Sequence, residues 1–145
     1  MSSKNIRLLI ALPLMLVATL SLGQLAAPPT EAELTTRRAT QLNNEQLQAL
    51  LKNQTLYHAN LATGQTLALF YREDGRRFVK VGSSVRNTKW WIKDSMRCEE
   101  SVARPGSFCQ KHFQDGEVLR ACFEGEQTCN WIITVSSGDP EGIGK

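Results

Sequence analysis

The sequence predicts a mainly β fold: an antiparallel meander or small half-open β-barrel preceded by a short helix. Three observations carry this. From residue 55 onward, β-branched and aromatic residues alternate with polar ones and are broken by turn signals at the spacing of a meander. Asp74-Gly75 and Asp115-Gly116 are each two-residue hairpin signals of the type I′ kind. Just upstream, Leu47, Leu50 and Leu51 follow Asn43 and Asn44 at the i, i+3, i+4 spacing of a short amphipathic helix with an asparagine cap.

At the N-terminus, Lys4 and Arg7 precede an uncharged apolar run that begins at Leu8 and contains Pro13. This is the n-region and h-region of a secretory signal, too short for a bilayer-spanning helix of about 20 residues. Ser21-Leu22-Gly23 supplies the small-x-small cleavage pattern. Residues 1–23 are therefore expected to be a signal peptide, with no stable membrane anchor after cleavage and a periplasmic or secreted destination. Residues 24–43 are expected to form a weakly helical linker, in which Thr30 caps a helical turn and Glu33 completes a capping box. Residues 44–145 are expected to be a single β-rich domain.

The strands are expected at residues 55–60, 66–72, 77–82, 89–93, 108–114, 117–123 and 128–135. A turn centred on Asp74-Gly75 sets Tyr71 opposite Phe78 and Phe70 opposite Val79. Centring the later hairpin on Asp115-Gly116 sets Cys109 opposite Cys122, and a loop at Gly125-Glu126 sets Cys122 opposite Cys129. The four cysteines, Cys98, Cys109, Cys122 and Cys129, are an even number in a chain with an export signal, which reads as two disulfides. They lack the short Cys-x2-4-Cys spacing of a zinc knuckle, so no metal is expected. Pairing Cys98 with Cys109 and Cys122 with Cys129 satisfies all four, whereas joining Cys109 to Cys122 leaves Cys98 and Cys129 on non-adjacent strands.

The order of features also resembles a family of small exported bacterial β-meander domains of unknown function. The matching residues are Asn53-Gln54-Thr55-Leu56-Tyr57, Phe70-Tyr71 before Asp74-Gly75, Trp91 with Asp94 and Cys98, then Cys109, and a closing Gly138-Asp139-Pro140. With the leucine-bearing helix that precedes them, the resemblance covers roughly residues 44–142. The resemblance implies a β-meander curled into a half-barrel and brings no activity with it.

Composition narrows the functional classes. The formal net charge of +3 owes two units to Lys4 and Arg7, so removing the signal leaves a chain near neutrality and no basic stripe for nucleic acid. No nucleophile elbow, phosphate loop or metal-ligand spacing occurs, and no cofactor or catalytic residue is assigned. His58 and His112 could each be drawn with Glu73, Glu99 or Asp115 as an acid–base pair, but nothing in their spacing brings them together. Both are expected half-exposed on strands, and Glu99-Glu100 are expected to solvate a turn. Trp90 and Trp91, adjacent on a strand, must face opposite sides of the sheet. One is expected in the core and the other on the surface, where it could stack on a ligand or partner.

The functional expectation is a non-enzymatic exported binding domain for an unknown small molecule or extracytoplasmic protein, with Trp90, Trp91 and Arg104 as candidate binding residues. Two alternatives stand beside it. One is a small secreted hydrolase using a histidine and a carboxylate. The other is an inhibitor of an extracytoplasmic enzyme, presenting the disulfide-pinned loop that contains Arg104.

Overall fold

A computed structural model describes residues 27–145; the expected signal peptide lies outside the described residues. The chain runs α1 (Glu31–Thr36), β1 (Thr40–Gln41), α2 (Asn44–Leu51), β2 (Gln54–Asn60), β3 (Thr66–Tyr71), β4 (Arg76–Val81), β5 (Ser84–Lys93), β6 (Met96–Glu100), β7 (Ser107–Asp115), β8 (Val118–Phe123) and β9 (Trp131–Ser137). Strands β2 to β9 pair antiparallel in sequence order, and β9 pairs back with β2. The meander therefore closes into an eight-stranded up-and-down barrel rather than a half-open one. Closure satisfies the backbone groups that an open sheet would leave along its two edges.

Two features absent from the expectation make closure possible. β5 begins at Ser84, well before residue 89, and β6 is an additional strand. They are joined by Asp94-Ser95, whose φ values of 52° and 58° make a type I′ connection without glycine. Asn44 Oδ1 at the start of α2 accepts a hydrogen bond from Ser95 N at 2.8 Å and steadies this turn.

The Asp74-Gly75 hairpin differs in register. Arg72 N donates to Arg76 O, so the loop holds three residues, with Gly75 alone at positive φ (83°). Phe70 consequently faces Phe78, and Tyr71 faces Arg77. A one-residue slip exchanges the two faces of a strand: Arg77 and Val79 point into the barrel and Phe78 points out. The later hairpin turns on Gly116-Glu117, with Asp115 opposite Val118, which places Lys111 opposite Cys122.

The disulfides nonetheless pair as expected, Cys98–Cys109 and Cys122–Cys129. Cys98 and Cys109 are direct cross-strand partners between β6 and β7. Cys129 lies beyond the β8 ladder, so the second bridge ties down the β8–β9 connection.

Asn43 caps α2 through a reciprocal capping box with Gln46. The helix lays Leu47 and Leu51, both wholly buried, across one end of the barrel against Leu56, Leu69, Tyr71 and Trp90. Burying two leucines contributes about 1.5–3 kcal/mol each. The segment before α2 lies on the outer wall: α1 carries the Thr30 and Glu33 capping box, and its Leu34 packs on Phe113 and the Cys122–Cys129 bridge. On another part of the wall the C-terminal tail folds back, with Ile143 covering Phe70 and Phe78.

Candidate functional site

Alternation along the strands decides what faces inward. At the α2 end, Leu56, Tyr71, Trp90, Leu119 and Ile133 fill the barrel. Beside and beyond this layer the same alternation delivers polar side chains instead: His58 from β2, Arg77 from β4, Arg97 and Glu99 from β6, and Gln110 and His112 from β7. All six are buried.

Glu99 organises this layer. Its Oε1 accepts from Arg77 Nη1 at 2.6 Å and lies 3.6 Å from Arg97 Nη2, while its Oε2 accepts from the Tyr71 hydroxyl at 3.2 Å. Arg77 is otherwise satisfied by Thr88 Oγ1, at 3.0 and 2.8 Å from Nε and Nη2, and by Glu100 O. Arg97 donates to the Tyr71 hydroxyl and to Gln110 Oε1, and its Nη1 is 3.2 Å from His58 Nε2. A guanidinium can only donate, so His58 Nε2 must be the unprotonated nitrogen. Burial, reinforced by the Arg97 charge, holds the His58 imidazole well below its ordinary pKa. Burial likewise depresses His112 to about 3, and neither of its ring nitrogens has a hydrogen-bond partner. Burial also raises the Tyr71 phenol, which stays a protonated donor.

A cavity of about 310 Å³ is floored by Arg77, Arg97 and Glu99. Its walls are mainly apolar, from residues that include Leu67, Val79, Phe108, Phe123 and Trp131. It lies toward the barrel end opposite α2. The β6–β7 loop covers part of that end, with Val102 turned inward to pack on the core.

The expected site residues fall in two places. Trp90 is 6% exposed, faces inward, and donates its indole N–H to Arg72 O at 3.0 Å. Trp91 is 37% exposed on the outer wall, so the two tryptophans divide between core and surface. Trp91 and Arg104 line the same shallow outer hollow, together with Pro105 and Gly106 of the β6–β7 loop. That hollow does not include Trp90.

The histidines are not half-exposed, because both lie on inward-facing positions of a closed barrel. Glu99 is likewise buried rather than solvating a turn; of the two adjacent carboxylates only Glu100 faces out, where it accepts from Lys89 N. Neither histidine is hydrogen-bonded to a carboxylate. Glu73 pairs with Lys52, and Asp115 pairs with Arg120. Among the described residues, no three His, Cys, Asp or Glu side chains converge on a metal position.

Sequence reasoning missed the polar floor. The signal available was the period-two spacing of Arg97, Glu99 and Ser101 around Cys98, which places two charges on one face of a strand. Comparisons with protein-family models, with curated proteins and with solved structures found no match. The site's chemistry is therefore read from its own residues.

Proposed function

We propose that this protein is a non-enzymatic, exported binding domain that holds a small, largely apolar molecule inside its barrel. The observation that carries the reading is the cavity of about 310 Å³, walled by aliphatic and aromatic side chains with a few converging polar groups at its inner end. Ligand sites commonly have this size and make-up, and barrel mouths are a recurrent place for them. Export is part of the proposal. It is supported by the charged and apolar N-terminal run and by two disulfides of the kind that persist in oxidising compartments.

Titration of the folded protein with uncharged 1-naphthylamine, a polarity-sensitive fluorophore of about ten heavy atoms that matches the cavity volume, tests the cavity. Probe fluorescence is expected to rise saturably, with quenching of Trp131. Val81→Trp, which places a large ring at the partly exposed mouth, is expected to weaken binding at least tenfold. Saturable binding that is indifferent to Val81→Trp would place the probe elsewhere and remove the reading.

A second reading is favoured by one specific observation, the shared position of Trp91 and Arg104 on the outer hollow. Aromatic and arginine side chains together are the usual anchors of protein contacts. The β6–β7 loop, pinned at its base by Cys98–Cys109, would then engage an extracytoplasmic protein, as an inhibitor does. Loss of such a partner on Arg104→Ala, with cavity binding unchanged, separates this reading from the first.

A further inference from the structure

We infer that the cavity ligand is a single-chain aliphatic amphiphile of about ten heavy atoms with one carboxylate, lodged with its acidic head toward Arg77 and Arg97. The inference rests on the cavity reading above and adds the charge and size of the occupant.

The charge follows from the polar floor. Two guanidiniums, Arg77 and Arg97, share one carboxylate, Glu99. The remaining groups of that layer are Tyr71, Thr88, Gln110 and the two histidines. Burial keeps both imidazoles uncharged at neutral pH and the phenol protonated. The floor thus carries one surplus positive charge among apolar walls, and a buried charge without a counterion is strongly unfavourable. Arg97 is 1% exposed, and its Nε is buried with no hydrogen-bond partner. The chain itself therefore leaves one cation unanswered at the inner end of the cavity. A monoanion supplies the missing charge; a neutral molecule leaves the surplus in place, and a cation adds to it.

The size follows from the volume. At about 30 Å³ per water, and a similar space per methylene, the cavity of about 310 Å³ takes about ten heavy atoms. That admits a medium-length fatty acid and is too small for a two-chain lipid. Leu67, Val79, Phe108 and Phe123 give such a chain apolar contact along its length.

The test compares three ligands of equal chain length on the disulfide-bonded protein at pH 7.5, each below its micellar concentration: decanoate, decan-1-ol and decyltrimethylammonium. Affinity is read by calorimetry and by Trp131 fluorescence. Decanoate is expected to bind at least tenfold more tightly than decan-1-ol, the increment of a charge-assisted hydrogen bond, and the cation is expected to bind least. Arg97→Met keeps the Arg77 and Glu99 pair balanced and is expected to bring decanoate down to the affinity of the alcohol. The comparison on the unmodified chain carries the test whether or not that variant folds. Alcohol binding equal to or tighter than that of the acid overturns the anionic head while leaving the cavity reading intact. Failure of all three to bind folded protein overturns both.

Discussion

Glu99 is the single anion buried with two cations, and replacing it by glutamine isolates what that charge contributes. The side chains of Glu99, Arg77 and Arg97 are 3%, 4% and 1% exposed, so solvent screens the cluster little. Glu99→Gln preserves the volume and removes the charge, leaving two unneutralised guanidiniums beneath the cavity. It also sets an amide N–H₂ beside two guanidiniums, which can only donate. Breaking a buried ion pair by removing one partner costs about 3–5 kcal/mol. For a domain of this size that corresponds to a fall in Tm of roughly 10–20 °C.

Urea unfolding followed by tryptophan fluorescence and far-UV circular dichroism measures the change. Glu100→Gln is the internal control, because that neighbour faces outward and accepts one backbone hydrogen bond at 3.0 Å; its cost is expected to be about 1 kcal/mol or less. Adding Arg97→Met to Glu99→Gln removes the second cation and is expected to recover a substantial part of the loss, as neighbouring sites couple non-additively. A Glu99→Gln cost no greater than that of Glu100→Gln would refute the account of the polar floor. So would a double variant less stable than Glu99→Gln alone.

Two further outcomes are expected. His112 is neutral in the folded barrel, with its pKa lowered from the ordinary 6.5 to about 3, so the unfolded chain takes up its proton first on acidification. Stability is then complete above about pH 6.5 and falls through acidic pH toward pH 3, by about 1.4 kcal/mol per unit for this residue, with His58 acting in the same direction. Because His112 makes no side-chain hydrogen bond, His112→Leu is expected to be near wild-type stability at pH 7 and about 2–3 kcal/mol more stable than wild type at pH 4.5; parallel pH profiles of the two proteins would refute this. At the C-terminus, a Cβ on Gly144 would sit 2.3 Å from Phe70 Cδ1. Gly144→Ala should lift the tail off the wall at a cost of about 1–3 kcal/mol, seen as faster trimming by a carboxypeptidase; an unchanged trimming rate would refute the packing.

The legibility of the barrel in its sequence varied with the kind of signal. Asparagine capping and the leucine stripe placed α2 correctly, since both act within a few residues. The disulfide pairing was reachable because four cysteines close together in the last third of the chain leave few alternatives. Register was less accessible. Asp74-Gly75 marks a hairpin, but whether the loop holds two or three residues depends on how the strands twist into their neighbours, and that one residue decided whether Arg77 or Phe78 entered the barrel. β6 escaped notice because its turn, Asp94-Ser95, takes positive φ without glycine and because Arg97 and Glu99 look like surface residues until the barrel closes around them. Closure itself depends on β2 meeting β9, a contact between distant parts of the chain that no local pattern encodes.

That β2–β9 ladder also sets the order in which the molecule can assemble. Every other ladder of the barrel joins consecutive strands, so hairpins can zip one after another as a chain emerges N-terminus first. The ring cannot shut until the last strand arrives. Until then β2 presents an unpaired edge, open to pairing with another chain, while Arg77, Arg97 and Glu99 remain hydrated. Sealing the ring and dehydrating the charges thus fall in one late step, which joins the first and last strands of the barrel and sets a high kinetic barrier. The same barrier, crossed in reverse, would keep a completed barrel shut.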